Sequence, residues 1–442
     1  MHILFVIPPV ERGNKIWAIY PPLGIMYMSS LLKQDGHQVS FIDGILEDYD
    51  APAFVQAVQA LRPDLLGIGI NAHQVKYCRE YVQQICISGL NIPVVIGGPF
   101  VSCVGAVIFD CIPGADFAVI GEGEYAILDL VHHLEGKCAI GQVRNLVFKQ
   151  DGAVKQNPVE RIADISQIPL PDYDLVDRYI PGYSGAYPTV FKPSFDIMCT
   201  RGCPFACKFC SSPTLWHRRV TFRSIDSVIE ETAMLVHRYG AKEIFYQDDT
   251  LNARKEWFME LCDRLIGTGL SKTACFKVQF RVNEQMVTKE ILAKARAANI
   301  WMIFYGVESG NQAILDSMQK GTTIAEIERA FRLTAEAGIK SLGSFIVGYP
   351  GDTPNTINDT YLLVTRIRPD FGGFNVAVPY PGSSLYDEAV AGGLLDDNSC
   401  DLAKYNALDC KIRTRDLSHE QLYNYAVTGI NLLLTLAANK KV

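Results

Sequence analysis

Cys199-Thr200-Arg201-Gly202-Cys203-Pro204-Phe205-Ala206-Cys207-Lys208-Phe209-Cys210 decides how this chain is read. Cys203, Cys207 and Cys210 are spaced C-x3-C-x2-C, directly after the apolar run Phe195–Met198, which reads as a strand. The three thiols therefore fall on a loop at the C-terminal end of that strand. Three thiolates on one short loop can hold three corners of a [4Fe–4S] cluster, and the fourth iron is then free to chelate a small molecule. Two other readings compete. Cys199 could complete a four-cysteine zinc site, although its place within the strand aims it poorly. Cys207-x-x-Cys210 alone could be a dithiol redox pair, which would leave Cys203 without a role.

Toward the C-terminus, strand-like runs recur at Glu243–Tyr246, Phe276–Phe280, Trp301–Tyr305, Leu342–Val347 and Gly373–Val378, with helical patterns between them. Thr323-x-x-Glu326 and Ser418-x-x-Gln421 are capping boxes, the second opening a tail helix. Six β/α units predict a barrel, whole or partial, with its chemistry at the strand C-termini. Toward the N-terminus, the apolar runs Ile3–Ile7, Val39–Ile42, Leu65–Ile70, Pro93–Gly97 and Ala115–Ile120 alternate with helical segments. Strands this continuously apolar are buried on both faces, which predicts a parallel, doubly wound, Rossmann-like sheet. Asp151-Gly152 marks a hairpin turn, and a Pro- and Gly-rich connector follows it. The expected layout is a Rossmann-like domain over 1–140, a connector over 141–193, a partial (β/α)6 barrel over 194–385 and a C-terminal helical region over 386–442.

With 442 residues, 48% hydrophobic and 20% charged, the chain has the profile of an ordinary globular protein with more than one core. The net charge of −7 and the lack of any Lys/Arg block argue against nucleic acid as a partner. No apolar run reaches the ~18 residues of a membrane span. The 13 cysteines are odd in number and mostly scattered on apolar faces, so a reducing cytoplasm is expected.

The cysteine loop, with Phe245-Tyr246-Gln247-Asp248-Asp249, Gly306-Val307-Glu308-Ser309-Gly310, Val347-Gly348-Tyr349-Pro350-Gly351 and Pro379-Tyr380-Pro381-Gly382-Ser383, resembles the radical S-adenosylmethionine (SAM) enzymes. Gly97-Gly98-Pro99 and Gly121-Glu122-Gly123-Glu124 match turns of the class with an N-terminal cobalamin-binding-type domain. By that resemblance, Cys203, Cys207 and Cys210 would hold the cluster and Phe209 would pack near the SAM adenine. Glu308 would bind the ribose or methionine part, or cap the next helix together with Ser309. Asp248 could accept from the SAM ammonium or from substrate, or else simply cap a helix. Arg281 could pair with a carboxylate, or be an ordinary surface arginine. Gly348 would let the backbone approach the adenine, though a tight turn explains the same glycine. No residue is singled out as acting on the substrate.

The loop after Ile7 has no histidine of the kind that replaces the lower cobalamin ligand in Asp-x-His-x-x-Gly proteins. Asp35-Gly36-His37 mimics the start of that motif at the wrong turn and reads as a helix stop. Strand-end loops at Pro21-Pro22-Leu23 and Asn71-Ala72-His73 are further places where an open α/β sheet would meet a ligand. The resemblance implies reductive cleavage of SAM to a 5′-deoxyadenosyl radical, hydrogen abstraction from a small molecule, and C-methylation if cobalamin is bound. Radical dehydration, cyclisation or rearrangement without methyl transfer is the alternative. An electron donor such as flavodoxin or ferredoxin would be needed, and the cleft between the domains is the expected substrate site.

Overall fold

The first strand, β1 (His2–Ile7), has four fully enclosed residues at its centre, so it can only lie in the middle of a covered sheet. The computed structural model describes residues 1–11, 20–185, 188–395 and 412–439. They divide into two units, Met1–Ser184 and the chain from Gly185 onward. In the first unit β1 is flanked by β2 (Gln38–Asp43) and β3 (Leu65–Gly69), followed outward by β4 (Val94–Gly97) and β5 (Phe117–Val119). These five strands are parallel in the order β2-β1-β3-β4-β5. The order reverses between β1 and β3, and the strand C-termini at such a switch point are where open α/β sheets take ligands.

Helices Leu23–Gln34, Ala51–Leu61 and Val75–Ile87 and the short Pro99–Val104 and Ile108–Cys111 connect these strands, and Glu124–Leu134 follows β5. Asp50 caps the second helix by accepting from the Ala53 N–H at 2.8 Å, and a proline in the first turn has no N–H to leave unpaired. The segment expected as the start of a connector is part of this sheet instead. Strands β6 (Leu146–Gln150) and β7 (Ala153–Gln156) form the hairpin foreseen at Asp151-Gly152, and β6 pairs antiparallel with β5. The exposed edge of β5 offers unpaired backbone groups, and the hairpin covers them. The first unit accordingly runs to Ser184 rather than ending near residue 140.

The second unit is a curled sheet of six parallel strands in chain order. They are β8 (Ser194–Ile197), β11 (Glu243–Tyr246), β12 (Cys275–Phe280), β13 (Ile300–Glu308), β14 (Lys340–Val347) and β15 (Phe371–Val376). A separate short ladder joins β9 (Thr200–Arg201) to β10 (Thr221–Phe222). Among the described residues β15 does not pair back to β8, so this is the partial barrel expected from the six units. Both foreseen capping boxes are present, at Thr323–Glu326 and Ser418–Gln421. The tail helix His419–Asn439 packs on β15, where Gly429 admits the Phe374 ring. Residues 396–411 and 440–442 of the expected C-terminal region lie outside the described residues.

The barrel floor is charged. Lys277 and Glu243 are both fully buried and paired at 2.7 Å, and the Lys277 ammonium also donates to the Pro188 carbonyl at 2.9 Å. Asp196 stands level with Lys277 across Phe245, two residues beyond the register of Glu243, and is buried with neither carboxylate oxygen hydrogen-bonded. Burial pushes it up to about 7, although Lys277 pulls it down.

Candidate functional site

The loop that carries the three cysteines is an excursion closed at its base by β9 and β10. Gly202 opens it with φ +102, and a Cβ there would lie 2.1 Å from the Arg219 carbonyl oxygen, so only glycine fits where the two ends of the loop meet. The Lys208 N–H donates to the Met318 carbonyl at 2.9 Å, and the Lys208 carbonyl accepts from the Leu385 N–H at 2.8 Å. A Lys208–Glu388 ion pair at 2.7 Å adds a third tie. The middle of the loop is thus pinned to the barrel from both sides before any cofactor is considered.

Each sulfur meets one polar neighbour. Cys203 Sγ lies 3.5 Å from Thr250 Oγ1, the Ser212 N–H donates to Cys210 Sγ at 3.3 Å, and Arg281 Nη1 donates to Cys207 Sγ at 3.5 Å. Cys207 is buried, and Cys203 and Cys210 are half-buried. Burial pushes the Cys210 thiol up to about 12 against the pull of the Ser212 N–H, and Asp249, Cys207 and Cys203 raise it further. The desolvated Cys210 thiol is a poor thiolate by itself, and bound iron would supply the positive charge that ionises it. The donor set fits a cluster held by three cysteines. Cys199, the possible fourth ligand of a zinc site, is fully buried, and burial together with the neighbouring Asp248 pushes its thiol well up.

The other singled-out residues have definite places. Arg281 ends β12 and is buried; its Nε donates to Asn283 Oδ1 at 3.1 Å, its Nη2 to the Lys320 carbonyl, and its plane sits 3.5 Å from the centre of the Phe205 ring. It is not a surface arginine. Asp248 is buried, and Oδ1 accepts from both the Thr200 N–H and the Thr200 hydroxyl. Burial pushes Asp248 up to about 7 in spite of these bonds. Glu308 lies past an irregularity in the β13–β14 pairing with φ +68, and it is paired with Lys320 at 2.7 Å. A bulge re-aims a side chain at a strand end, and left-handed backbone at a non-glycine residue stores strain that the surroundings must hold. Lys320 Nζ also lies 5.6 Å from the centre of the Phe209 ring.

Ser309 Oγ accepts from the Asn311 N–H at 3.1 Å and lies 3.5 Å from Thr360 Oγ1, so it braces the loop after β13. Gly348 has φ +86, its N–H donates to Asp352 at 2.8 Å, and a Cβ there would fall 2.8 Å from the Leu422 side chain. Cys203, Cys207, Cys210, Arg281, Phe209 and Glu308 are therefore linked through shared neighbours, whereas Asp248 is tied to Thr200, Ser309 to Asn311 and Thr360, and Gly348 to Asp352. Thr250, Ser212, Phe205 and Lys320 were not singled out from the sequence. Thr250 follows Asp248-Asp249 and could have been, while nothing in the residues around Lys320 points to Glu308.

In the first unit, the Gly121–Glu124 turn is locked from within. Glu122 Oε2 accepts from the Ile162 N–H at 2.6 Å, and its carbonyl accepts from Asn145 Nδ2 at 2.8 Å.

Residues 197–364 match the Radical SAM superfamily and residues 13–131 the B12 binding domain. An uncharacterized methyltransferase of Pyrococcus horikoshii is 31% identical over 427 residues, which cover 96% of this chain and 90% of that protein. The chain belongs to the B12-binding radical SAM enzymes. An anaerobic magnesium-protoporphyrin IX monomethyl ester cyclase of Cereibacter sphaeroides is 28% identical, over 96% of this chain and 68% of its own. In fold, this radical SAM enzyme is similar to the radical S-adenosylmethionine methyltransferase TsrM of Kitasatospora setae, with TM-score 0.76, 17% identity and coverage of 98% and 90% of the two chains. Its cofactors are a [4Fe–4S] cluster, SAM and cobalamin, the last through the B12-binding domain. Like other radical SAM enzymes it acts on a substrate and needs a reductant. Among the described residues no helix is long and apolar enough to cross a membrane.

Proposed function

We propose that this enzyme is a cobalamin-dependent methyltransferase that places the methyl group of SAM on carbon of a small molecule. The observation that carries it is one chain that presents a three-thiol loop, a polar neighbour at each sulfur, together with a B12-binding domain. The full-length relative that pairs the same two parts is named a methyltransferase. When bound, the cluster supplies the electron that cleaves SAM, and cobalamin supplies the methyl carrier. Cys203, Cys207 and Cys210 would hold three of the cluster's irons. Arg281 places a cation against Cys207 and stiffens the loop through Phe205. Glu308 and Lys320, a buried pair at the end of β13, offer a carboxylate and an ammonium to the charged end of SAM, with Phe209 alongside. A small iron–sulfur or flavin protein, such as ferredoxin or flavodoxin, supplies the electron.

The cyclase relatives support a second reading, radical chemistry without methyl transfer. Methyl-deuterated SAM separates the two. Anaerobic full-length enzyme loaded with cluster and cobalamin is given labelled SAM and a strong reductant. The methyltransferase reading expects S-adenosylhomocysteine and label in the cobalamin fraction. Formation of 5′-deoxyadenosine with the label never leaving the methionine part would favour the second reading.

A further inference from the structure

We propose that Asp35, His37 and His132 form a second metal site, for a divalent cation of the zinc type, on the B12-binding unit. Helix Leu23–Gln34 ends at Asp35, His37 stands directly before β2, and His132 lies in the last turn of helix Glu124–Leu134. The site therefore sits at the N-terminal end of the strands, at the opposite end from the loops where such sheets take ligands. Asp35 Oδ2 lies 3.0 Å from His37 Nε2 and 2.8 Å from His132 Nε2. All three ligand atoms are within 4.8 Å of one another, the only such set of three or more among the described residues.

The two edges that include Asp35 come near those of a coordination polyhedron. With metal–ligand bonds of about 2.0–2.1 Å, the edges of a zinc tetrahedron are about 3.3 Å. The two Asp35 edges, 3.0 and 2.8 Å, open by a few tenths of an ångström to admit the ion, and the two imidazole nitrogens, which lie within 4.8 Å of each other, take up the remaining adjustment through the half-exposed His132. Two imidazoles and one carboxylate suit zinc, nickel or cobalt better than calcium or magnesium, which prefer oxygen alone. His37 is held rigidly, with 4% of its side chain exposed, while Asp35 and His132 keep 35% and 29%. The ion thus has an anchored ligand, an entry path and a fourth position open to water.

A metal on Nε2 leaves the His37 proton on Nδ1. Glu135 Oε1 lies 3.9 Å from that atom, the place of a carboxylate that orients a metal-bound imidazole. The Met1 nitrogen, now 3.2 Å from Nδ1 and 3.7 Å from Glu135, must move onto Glu135 for this to happen. The ion would clip the turn before β2 to the end of helix Glu124–Leu134. Its role is separate from the cluster chemistry.

Zinc uptake tests this. Full-length enzyme with its cluster loaded, so that iron occupies the cysteines, is dialysed against zinc and the bound metal counted. About one zinc per chain is expected, with affinity falling at least tenfold in both His132→Gln and Asp35→Asn. A variant with Cys203, Cys207 and Cys210 all changed to alanine should still bind zinc, and zinc should raise the melting temperature of that variant but not of H132Q. Equal uptake by wild type, H132Q and D35N, or no zinc in the wild type, would overturn the proposal.

Discussion

Arg281 Nη1 donates to Cys207 Sγ at 3.5 Å while its guanidinium carbon lies 3.5 Å from the centre of the Phe205 ring. A buried cation hydrogen-bonded to a cluster sulfur stabilises the reduced, more negative cluster, because hydrogen bonds and charge at the sulfurs set the potential. Arg281→Gln should therefore still load iron, with a midpoint potential lowered by roughly 60 mV, the one-electron equivalent of about 1.4 kcal/mol. An EPR-monitored redox titration checks it. An unchanged potential would mean that Arg281 only packs.

Asp248 braces the start of the cluster loop. Its Oδ1 accepts both donors of Thr200, and both residues are buried. Asp248→Ala strands an N–H and a hydroxyl, at a cost of about 2–4 kcal/mol. Asp248→Asn keeps an acceptor and should cost much less. Thermal unfolding and retained iron after desalting should both rank wild type, Asn, then Ala; an alanine variant as stable as wild type would contradict the bracing role.

Gly348 was read as allowing close backbone approach to the adenine or as a tight strand-end turn, and the group nearest a Cβ added there is Leu422 of the tail helix. Gly348→Ala meets both a left-handed backbone and that contact, so a loss of about 1–3 kcal/mol is expected. Introduced beside Leu422→Ala, the same change should cost measurably less, which a double-mutant cycle on melting temperature reads directly.

Asp196 gives a pH signature. Burial holds its folded pKa near 7, against an ordinary value of 3.8. The folded state then binds the extra proton, so the stability linked to Asp196 is full below about pH 4 and is lost as pH rises toward 7. Asp196→Asn removes that dependence. Its stability relative to wild type should improve by about 1–3 kcal/mol between pH 5 and pH 8. A pH-independent difference would show that Asp196 does not carry this proton.

The strands were legible because each barrel strand is an apolar run bounded by turn residues, and the cysteines because their spacing has chemical meaning. Partners were harder. Asp248 read as a group just past a barrel strand, but its pairing with the Thr200 N–H and hydroxyl joins residues 48 apart. Lys320 meets Glu308 because a bulge turns one and a loop returns the other, and no local pattern encodes that meeting. The hairpin at Asp151-Gly152 was readable as a hairpin, while its place on the edge of β5 depends on which sheet has a free edge. Local rules name elements; three-dimensional neighbours decide what each side chain does.

The most direct test of the account is a metal and product count on anaerobically reconstituted full-length enzyme. Iron, sulfide and cobalt are measured after desalting with hydroxocobalamin, and SAM products after reduction. The account predicts about four iron and about one cobalt per chain, with 5′-deoxyadenosine and S-adenosylhomocysteine formed, and loss of iron and both products in Cys203→Ala. Protein that retains zinc at the cysteine loop, holds no cluster and leaves SAM intact would contradict it.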